Sequence, residues 1–201
     1  AFPLVAALIT RDSKVMVQGV GVNDRRAGLF QCLLEMGAEL TIDPVETVCG
    51  EPVANLTART SVLKGIEVPA ERAPSMIDEY PILAMAAACA HGTTVMHGLG
   101  ELRLKESDRL AAIAEGLRDC GVETLVEDDI LTVVGAGPDS IPEGGGRVAT
   151  QRDHRIAMAF LILGLAAKKA VTVDDGSMIA SSYPGFVGDM SVLGASISGS
   201  G

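Results

Sequence analysis

The sequence predicts an α/β domain in which helices pack on strands, and three observations carry that prediction. Alanine, leucine, valine and glycine dominate a composition that is 48% hydrophobic but only 3% aromatic, with no tryptophan, which suits closely packed α/β layers better than an all-β sandwich. The same order of elements recurs along the chain: an apolar helix, a short strand, an amphipathic helix, then a glycine that opens another strand. The length of 201 residues is enough to bury a sizeable core, as one large domain or two small ones.

The first copy begins with an apolar helix over Leu4–Ile9, followed by a strand over Lys14–Val20, with Gly19-Val20-Gly21 read as a turn. An amphipathic helix over Arg25–Met36 then gives way to Gly37-Ala38-Glu39-Leu40. The second copy has a helix over Ile82–Ala90, a strand over Thr93–His97, a helix over Asp108–Cys120, and Gly121-Val122-Glu123-Thr124. The third has Ile156–Ala167, Ala170–Val173, a helix near Pro184–Leu193, and Gly194-Ala195-Ser196-Ile197. Each closing glycine falls where a helix C-terminus needs a left-handed residue. Copies one and two continue into a second strand, over Leu56–Arg59 and Ile130–Val134, the latter across an Asp128-Asp129 turn. Copy three stops short of one. The expected units run from about 1–63, 64–147 and 148–197 within one domain, with Ser198–Gly201 as a flexible tail. The strand that copy three lacks is expected from elsewhere, upstream of Ala1 in a longer parent chain, since Ala1-Phe2-Pro3-Leu4 carries neither an initiator methionine nor a basic leader.

A formal net charge of -10 argues against nonspecific binding to nucleic acid or to anionic membrane surfaces, both of which need a basic footprint. The longest apolar run, Ile156–Ala167, is too short to span a bilayer, so a soluble protein is expected. Cys32, Cys49, Cys89 and Cys120 show no CxxC spacing and read as buried thiols of a reducing compartment. His91, His97 and His154 show no metal-ligand spacing, so no metal or cofactor is expected. Gly19-Val20-Gly21 lacks the rest of a dinucleotide fingerprint, Gly144-Gly145-Gly146-Arg147 lacks the lysine and hydroxyl of a P-loop, and no serine sits in a nucleophile elbow.

Two helices start with cations, where the helix dipole favours anions. Lys105-Glu106-Ser107-Asp108-Arg109 leads into the stripe Leu110, Ile113, Leu117, and Asp153-His154-Arg155 precedes the run from Ile156. The plain reading pairs Arg109 with Asp108 or Glu106, and Arg155 with Asp153, on the surface. The other reading is that an anionic ligand sits between cation and helix end, the two clusters opening corresponding elements of the repeat. Asp78-Glu79-Tyr80-Pro81 opens a third helix, with Asp78 as its N-cap. If the fold gathers these starts at one end, carboxylates and cations ring one cleft, a combination suited to proton transfer on a small polyanion.

Arg103-Leu104-Lys105-Glu106-Ser107-Asp108-Arg109-Leu110 resembles a signature of the 5-enolpyruvylshikimate-3-phosphate synthases, joined by Ser75–Pro81 and Asp153–Met158 in the family's order. The resemblance covers Ala1 to Ile197 and implies one of two inside-out α/β domains built of βαβαββ-type units, with helix N-termini directed at the cleft between domains. It implies a cytoplasmic enzyme without cofactor that transfers the enolpyruvyl group of phosphoenolpyruvate to shikimate 3-phosphate. In that family Asp78 would bind shikimate 3-phosphate and accept the proton of its 5-hydroxyl, Glu106 would move a proton at the donor methylene, and Lys105 would contact shikimate 3-phosphate and the reacting oxygens as a third catalytic residue. Arg109 and Arg155 would grip phosphoenolpyruvate, with His154 adjoining. Ser181 stands where many members carry a lysine, as in the glyphosate-tolerant bacterial subclass. The family's other half-site, carried by its N-terminal domain, is absent from this sequence, so the chain alone is expected to be inactive. The alternatives are a UDP-N-acetylglucosamine enolpyruvyl transferase domain, against which Lys-Glu-Ser-Asp-Arg speaks, and a noncatalytic excised fragment.

Overall fold

The computed structural model describes residues 1–137 and 141–199; Ser200 and Gly201 of the expected tail lie outside the described residues. Its first unit runs α1 (Phe2–Ile9), β1 (Lys14–Gly21), α2 (Gly28–Glu35), then a hairpin of β2 (Glu39–Val48) and β3 (Glu51–Arg59). These strands form an antiparallel sheet in the order β1-β3-β2. The second unit runs β4 (Glu67–Val68), α3 (Tyr80–Ala88), β5 (Thr93–Met96), α4 (Arg109–Asp119), β6 (Thr124–Glu127) and β7 (Ile130–Val134). Its sheet has the order β4-β5-β7-β6, with β4 and β5 parallel. In the third, β8 (Arg147–Val148), α5 (His154–Ala166) and β9 (Thr172–Val173) repeat the parallel β4-α3-β5 crossover, and α6 (Ile179–Ser182) and α7 (Phe186–Val192) follow.

The layering is inside out because of where the apolar surface lies. Every residue of α3 is buried, and a helix that is apolar all round can only sit among other elements. Accordingly α1, α3 and α5 pack against one another at the centre, while β2, polar on one face, buries only Leu40 and lies outside. The closing glycines Gly37, Gly121 and Gly194 have φ of +87°, +77° and +96°, the left-handed conformation that the repeat requires of them.

Several local expectations change. The helix read over Arg25–Met36 is divided: Asn23 caps a 3-10 turn over Asp24–Arg26 by accepting from the Arg25 N–H at 2.9 Å, and α2 starts only at Gly28. Gly28 lies so close to Met76 that a Cβ there would stand 3.0 Å from Met76 Cγ, so the packing at this helix start leaves room only for glycine. Gly19 is not a turn but part of β1, where the pairing with β3 shifts register between Val17 and Val20 and the Gly19 N–H donates to Asn55 Oδ1 at 3.1 Å. Cys32 and Cys120 are buried as expected and Cys89 is half-buried, but Cys49 is exposed in the β2–β3 turn; all four thiols are free.

Gly116 of α4 shows how tightly the central helices are joined to the outer elements. A Cβ on it would meet Phe160 Cε2 of α5 at 2.8 Å and Val148 Cγ1 of β8 at 2.9 Å. Gly116→Val is therefore expected to destabilise the chain by about 1–3 kcal/mol, read as a lower urea midpoint at unchanged slope. An unchanged midpoint would mean that α4 slides away from α5 without cost.

Candidate active site

The chemistry-bearing residues come from three places. Asp78 lies in a 3-10 turn, Ile77–Glu79, and is not the N-cap of α3; Glu79 holds that position without a side-chain cap, and Pro81 occupies the first turn. Freed from capping, the Asp78 carboxylate turns toward cations. Its Oδ1 accepts from Arg109 Nη1 at 2.9 Å and stands 4.0 Å from Lys105 Nζ, and its Oδ2 is 3.4 Å from Arg155 Nη2.

Lys105 and Glu106 follow a 3-10 turn over Gly100–Leu104. Asp108 ends that connection by capping α4, accepting from the Ala111 N–H at 2.9 Å. Arg103 braces it from outside, donating to Asp108 Oδ2 at 3.3 Å and to the Asp128 carbonyl at 2.8 Å. The expected Arg109–Asp108 pair is thus replaced by Arg103–Asp108. Lys105 Nζ donates to Glu101 Oε1 at 2.7 Å.

Arg109, the first residue of α4, is buried, its side chain only 1% exposed. Its guanidinium meets three carboxylates: Nε donates to Asp153 Oδ2 at 2.7 Å, Nη1 to Asp78, and Nη2 to Glu106 Oε2. The Arg109–Glu106 pairing read from the sequence is therefore present, but as one arm of a buried hub. The surface pair read between Arg155 and Asp153 is absent. Asp153 is buried and faces Arg109, whereas Arg155, half-buried on α5, donates to the Asp78 carbonyl at 3.0 Å and lies 3.5 Å from Glu79 Oε1. Nor do the two arginines open equivalent elements: Arg109 is the first residue of the second helix of its unit and Arg155 the second residue of the first helix of the next, and both reach Asp78. His154 stands at the first position of α5, half-buried beside Arg155.

Burial works against the charge on Asp153, yet the hydrogen bond and charge of Arg109, with the amides of Arg155 and Ile156, outweigh it and hold its carboxyl below the usual range. For Arg109 burial likewise opposes the cation, and Asp153, Glu106 and Asp78 more than compensate. Ala1, directly before α1, lies within electrostatic reach of Glu79 and Arg155. The N-terminal ends of α1, α3 and α5 thus converge on one patch, where their dipoles favour anions. A hollow of about 320 Å³, lined by Ala6, Thr10, Val15, Leu165 and Leu193, lies elsewhere.

Asp78, Lys105, Glu106, Arg109 and Arg155 are therefore brought together, and His154 is the chain neighbour of Arg155. Asp153 and Glu79 are the members that sequence reasoning passed over. The signal for Asp153 was present, since an aspartate directly before an apolar helical run is an N-cap. A cluster of guanidinium and ammonium groups beside half-exposed carboxylates can bind a small anion and move protons on it.

A family model described as EPSP synthase (3-phosphoshikimate 1-carboxyvinyltransferase) matches residues 1–190. A 3-phosphoshikimate 1-carboxyvinyltransferase of Rhodospirillum rubrum is 60% identical over 198 residues, covering 98% of this chain and 44% of the relative. The corresponding protein of Caulobacter vibrioides is 56% identical over 197 residues, again 98% of this chain and 44% of the relative. The chain thus spans less than half the length of these relatives. Among solved structures, the EPSP synthase of Acinetobacter baumannii superposes with a TM-score of 0.92 at 38% identity, over 96% of this chain and 44% of that one. The enolpyruvyl transferase NikO of Streptomyces tendae superposes at 0.73 and 26% identity, over 97% and 42% of the two chains.

Proposed function

Because the chain belongs to the EPSP synthase family, we propose that it forms one wall of the active site of an enzyme transferring the enolpyruvyl group of phosphoenolpyruvate to the 5-hydroxyl of shikimate 3-phosphate. The observation that carries this reading is the convergence of Asp78, Lys105, Glu106, Arg109 and Arg155 on one patch at the helix N-termini. In this reading Asp78 takes the proton of the 5-hydroxyl as its oxygen bonds to the enolpyruvyl C2, and Glu106 delivers a proton to the methylene carbon. In the second half the methyl group loses a proton, the double bond returns and the C2–O bond to phosphate breaks. Lys105 faces shikimate 3-phosphate, and Arg109 and Arg155, with His154 adjoining, hold phosphoenolpyruvate. The donor carboxylate then takes the place that the Asp78 carboxylate occupies beside Arg155, freeing Asp78 for its proton transfer.

The same reading makes residues 1–197 a single domain of three units, working with the N-terminal domain of a longer cytoplasmic enzyme. Family membership and the Lys105–Arg109 run favour it over a UDP-N-acetylglucosamine transferase. It also places the chain in the glyphosate-tolerant subclass, supported by Ser181 at the position of the family's lysine; the Ser181 hydroxyl donates to the Met178 carbonyl at 2.6 Å.

Calorimetric titration of the chain at low salt tests the half-site. Shikimate 3-phosphate followed by phosphoenolpyruvate is expected to bind with millimolar affinity, and Arg155→Ala to weaken the donor by about 10–100-fold, the worth of a charged hydrogen bond. Equal donor affinity in wild type and Arg155→Ala would remove Arg155 from the site. Activity is tested by placing this chain in the Rhodospirillum rubrum relative in place of the 198 residues it matches. Turnover in that hybrid supports the enzyme reading, and its absence with both substrates bound supports a noncatalytic module.

A further inference from the structure

We propose that Asp153 is a positioning residue: a buried carboxylate that aims the Arg109 fork at the cleft and, through the same atoms, fixes the start of the helix carrying Arg155. The inference rests on the reading of these arginines as the donor-binding pair. Asp153 is 1% exposed, and each of its oxygens is occupied by protein groups. Oδ1 accepts from the Arg155 N–H at 2.8 Å and the Ile156 N–H at 3.4 Å, capping α5. Oδ2 accepts from Arg109 Nε at 2.7 Å and from the Ser107 hydroxyl at 3.2 Å.

The geometry of a guanidinium makes this bond directional. The group is a rigid plane with its donors in fixed directions, so a bond that sets the Nε–H direction, together with the buried stem, restricts where Nη1 and Nη2 can point. Those nitrogens meet Asp78 and Glu106, the half-exposed carboxylates at the cleft. Ser107 adds a second tether, on the residue directly after Lys105-Glu106. One carboxylate therefore couples three parts of the site: the Lys105–Ser107 segment, the Arg109 head group and the backbone of Arg155. Being buried, it touches none of the reacting atoms, so its role is to aim groups that do.

Capping and aiming can be separated, because asparagine caps a helix as well as aspartate does but cannot present an anion to Arg109 Nε–H. The test is Asp153→Asn in the whole chain, followed by the NMR signal of the Arg109 Nε–H, assigned through its loss in Arg109→Lys, and by titration with phosphoenolpyruvate. In the wild type that Nε–H is expected to exchange with solvent far more slowly than those of exposed arginines. In Asp153→Asn, with helix content and a cooperative melt retained, it is expected to move and exchange rapidly, and the dissociation constant for phosphoenolpyruvate to rise about 10–100-fold. An unmoved signal and unchanged affinity would show that Asp153 only caps α5 and would overturn the proposal. Should Asp153→Asn not fold, wild-type exchange alone decides: a rapidly exchanging Arg109 Nε–H overturns the anchor. If phosphoenolpyruvate shifts no signal even in the wild type, the donor-site reading fails, while the Nε–H behaviour still supports or overturns the anchor itself.

Discussion

Asp78→Ala, made in the Rhodospirillum rubrum hybrid carrying this chain, is expected to lower kcat by about 10²–10⁴-fold, the usual worth of a positioned general base. The direction for donor affinity is opposite. Asp78 now occupies Arg109 at 2.9 Å and Arg155 at 3.4 Å, so its removal releases both guanidinium groups from a competing carboxylate. KM for phosphoenolpyruvate should therefore stay level or fall while kcat collapses. That split separates a base from a residue that merely holds substrate, whose loss would raise KM at constant kcat. Steady-state kinetics with both substrates varied makes the measurement. A variant retaining wild-type kcat would deny Asp78 the proton transfer.

Arg109→Met is expected to cost about 3–5 kcal/mol of stability, because it strands the buried Asp153 carboxylate without its cation. The sign with pH follows from linkage. In the wild type Asp153 is held below its ordinary pKa, so its contribution is fully present above about pH 4 and lost only as pH falls through the folded value. Without Arg109, burial, the largest influence, is opposed only by the amides of Arg155 and Ile156 and pushes the Asp153 pKa up, so the variant gains stability on acidification, as the proton neutralises the stranded group. Urea midpoints measured at pH 8 and pH 5 should show the gap between variant and wild type narrowing at the lower pH. Arg109→Met combined with Asp153→Asn should recover part of the loss at pH 8, since no charge is then left buried. A gap independent of pH would mean that water or another cation reaches Asp153.

Much of the fold was legible in the residues because its signals are local. The uniformly apolar run after Pro81 reads as a helix whatever surrounds it, and Gly37, Gly121 and Gly194 each end a helix in the left-handed conformation wherever the unit is placed. Where neighbours decide, the residues were silent. The helix expected over Arg25–Met36 divides before Gly28, where Ser75 and Met76, far along the chain, leave no room for a side chain.

The candidate site divides in the same way. Sequence alone determined that Arg109 and Arg155 stand in the first turns of helices and how many acids and bases lie near one another along the chain, for these are matters of spacing. It could not assign their partners. Asp78 reads as a cap and Asp153 as the surface mate of Arg155, since each has a plausible neighbour a few residues away. Only the tertiary structure decided that Asp153 belongs to Arg109, 44 residues distant, and that Arg155 belongs to the Asp78 turn, 77 residues distant. The physical reason is burial. A surface charge is served by water and can pair locally or not at all, whereas packing α4 on α5 removes water from Arg109 and Asp153, and each must then find its opposite across the interface.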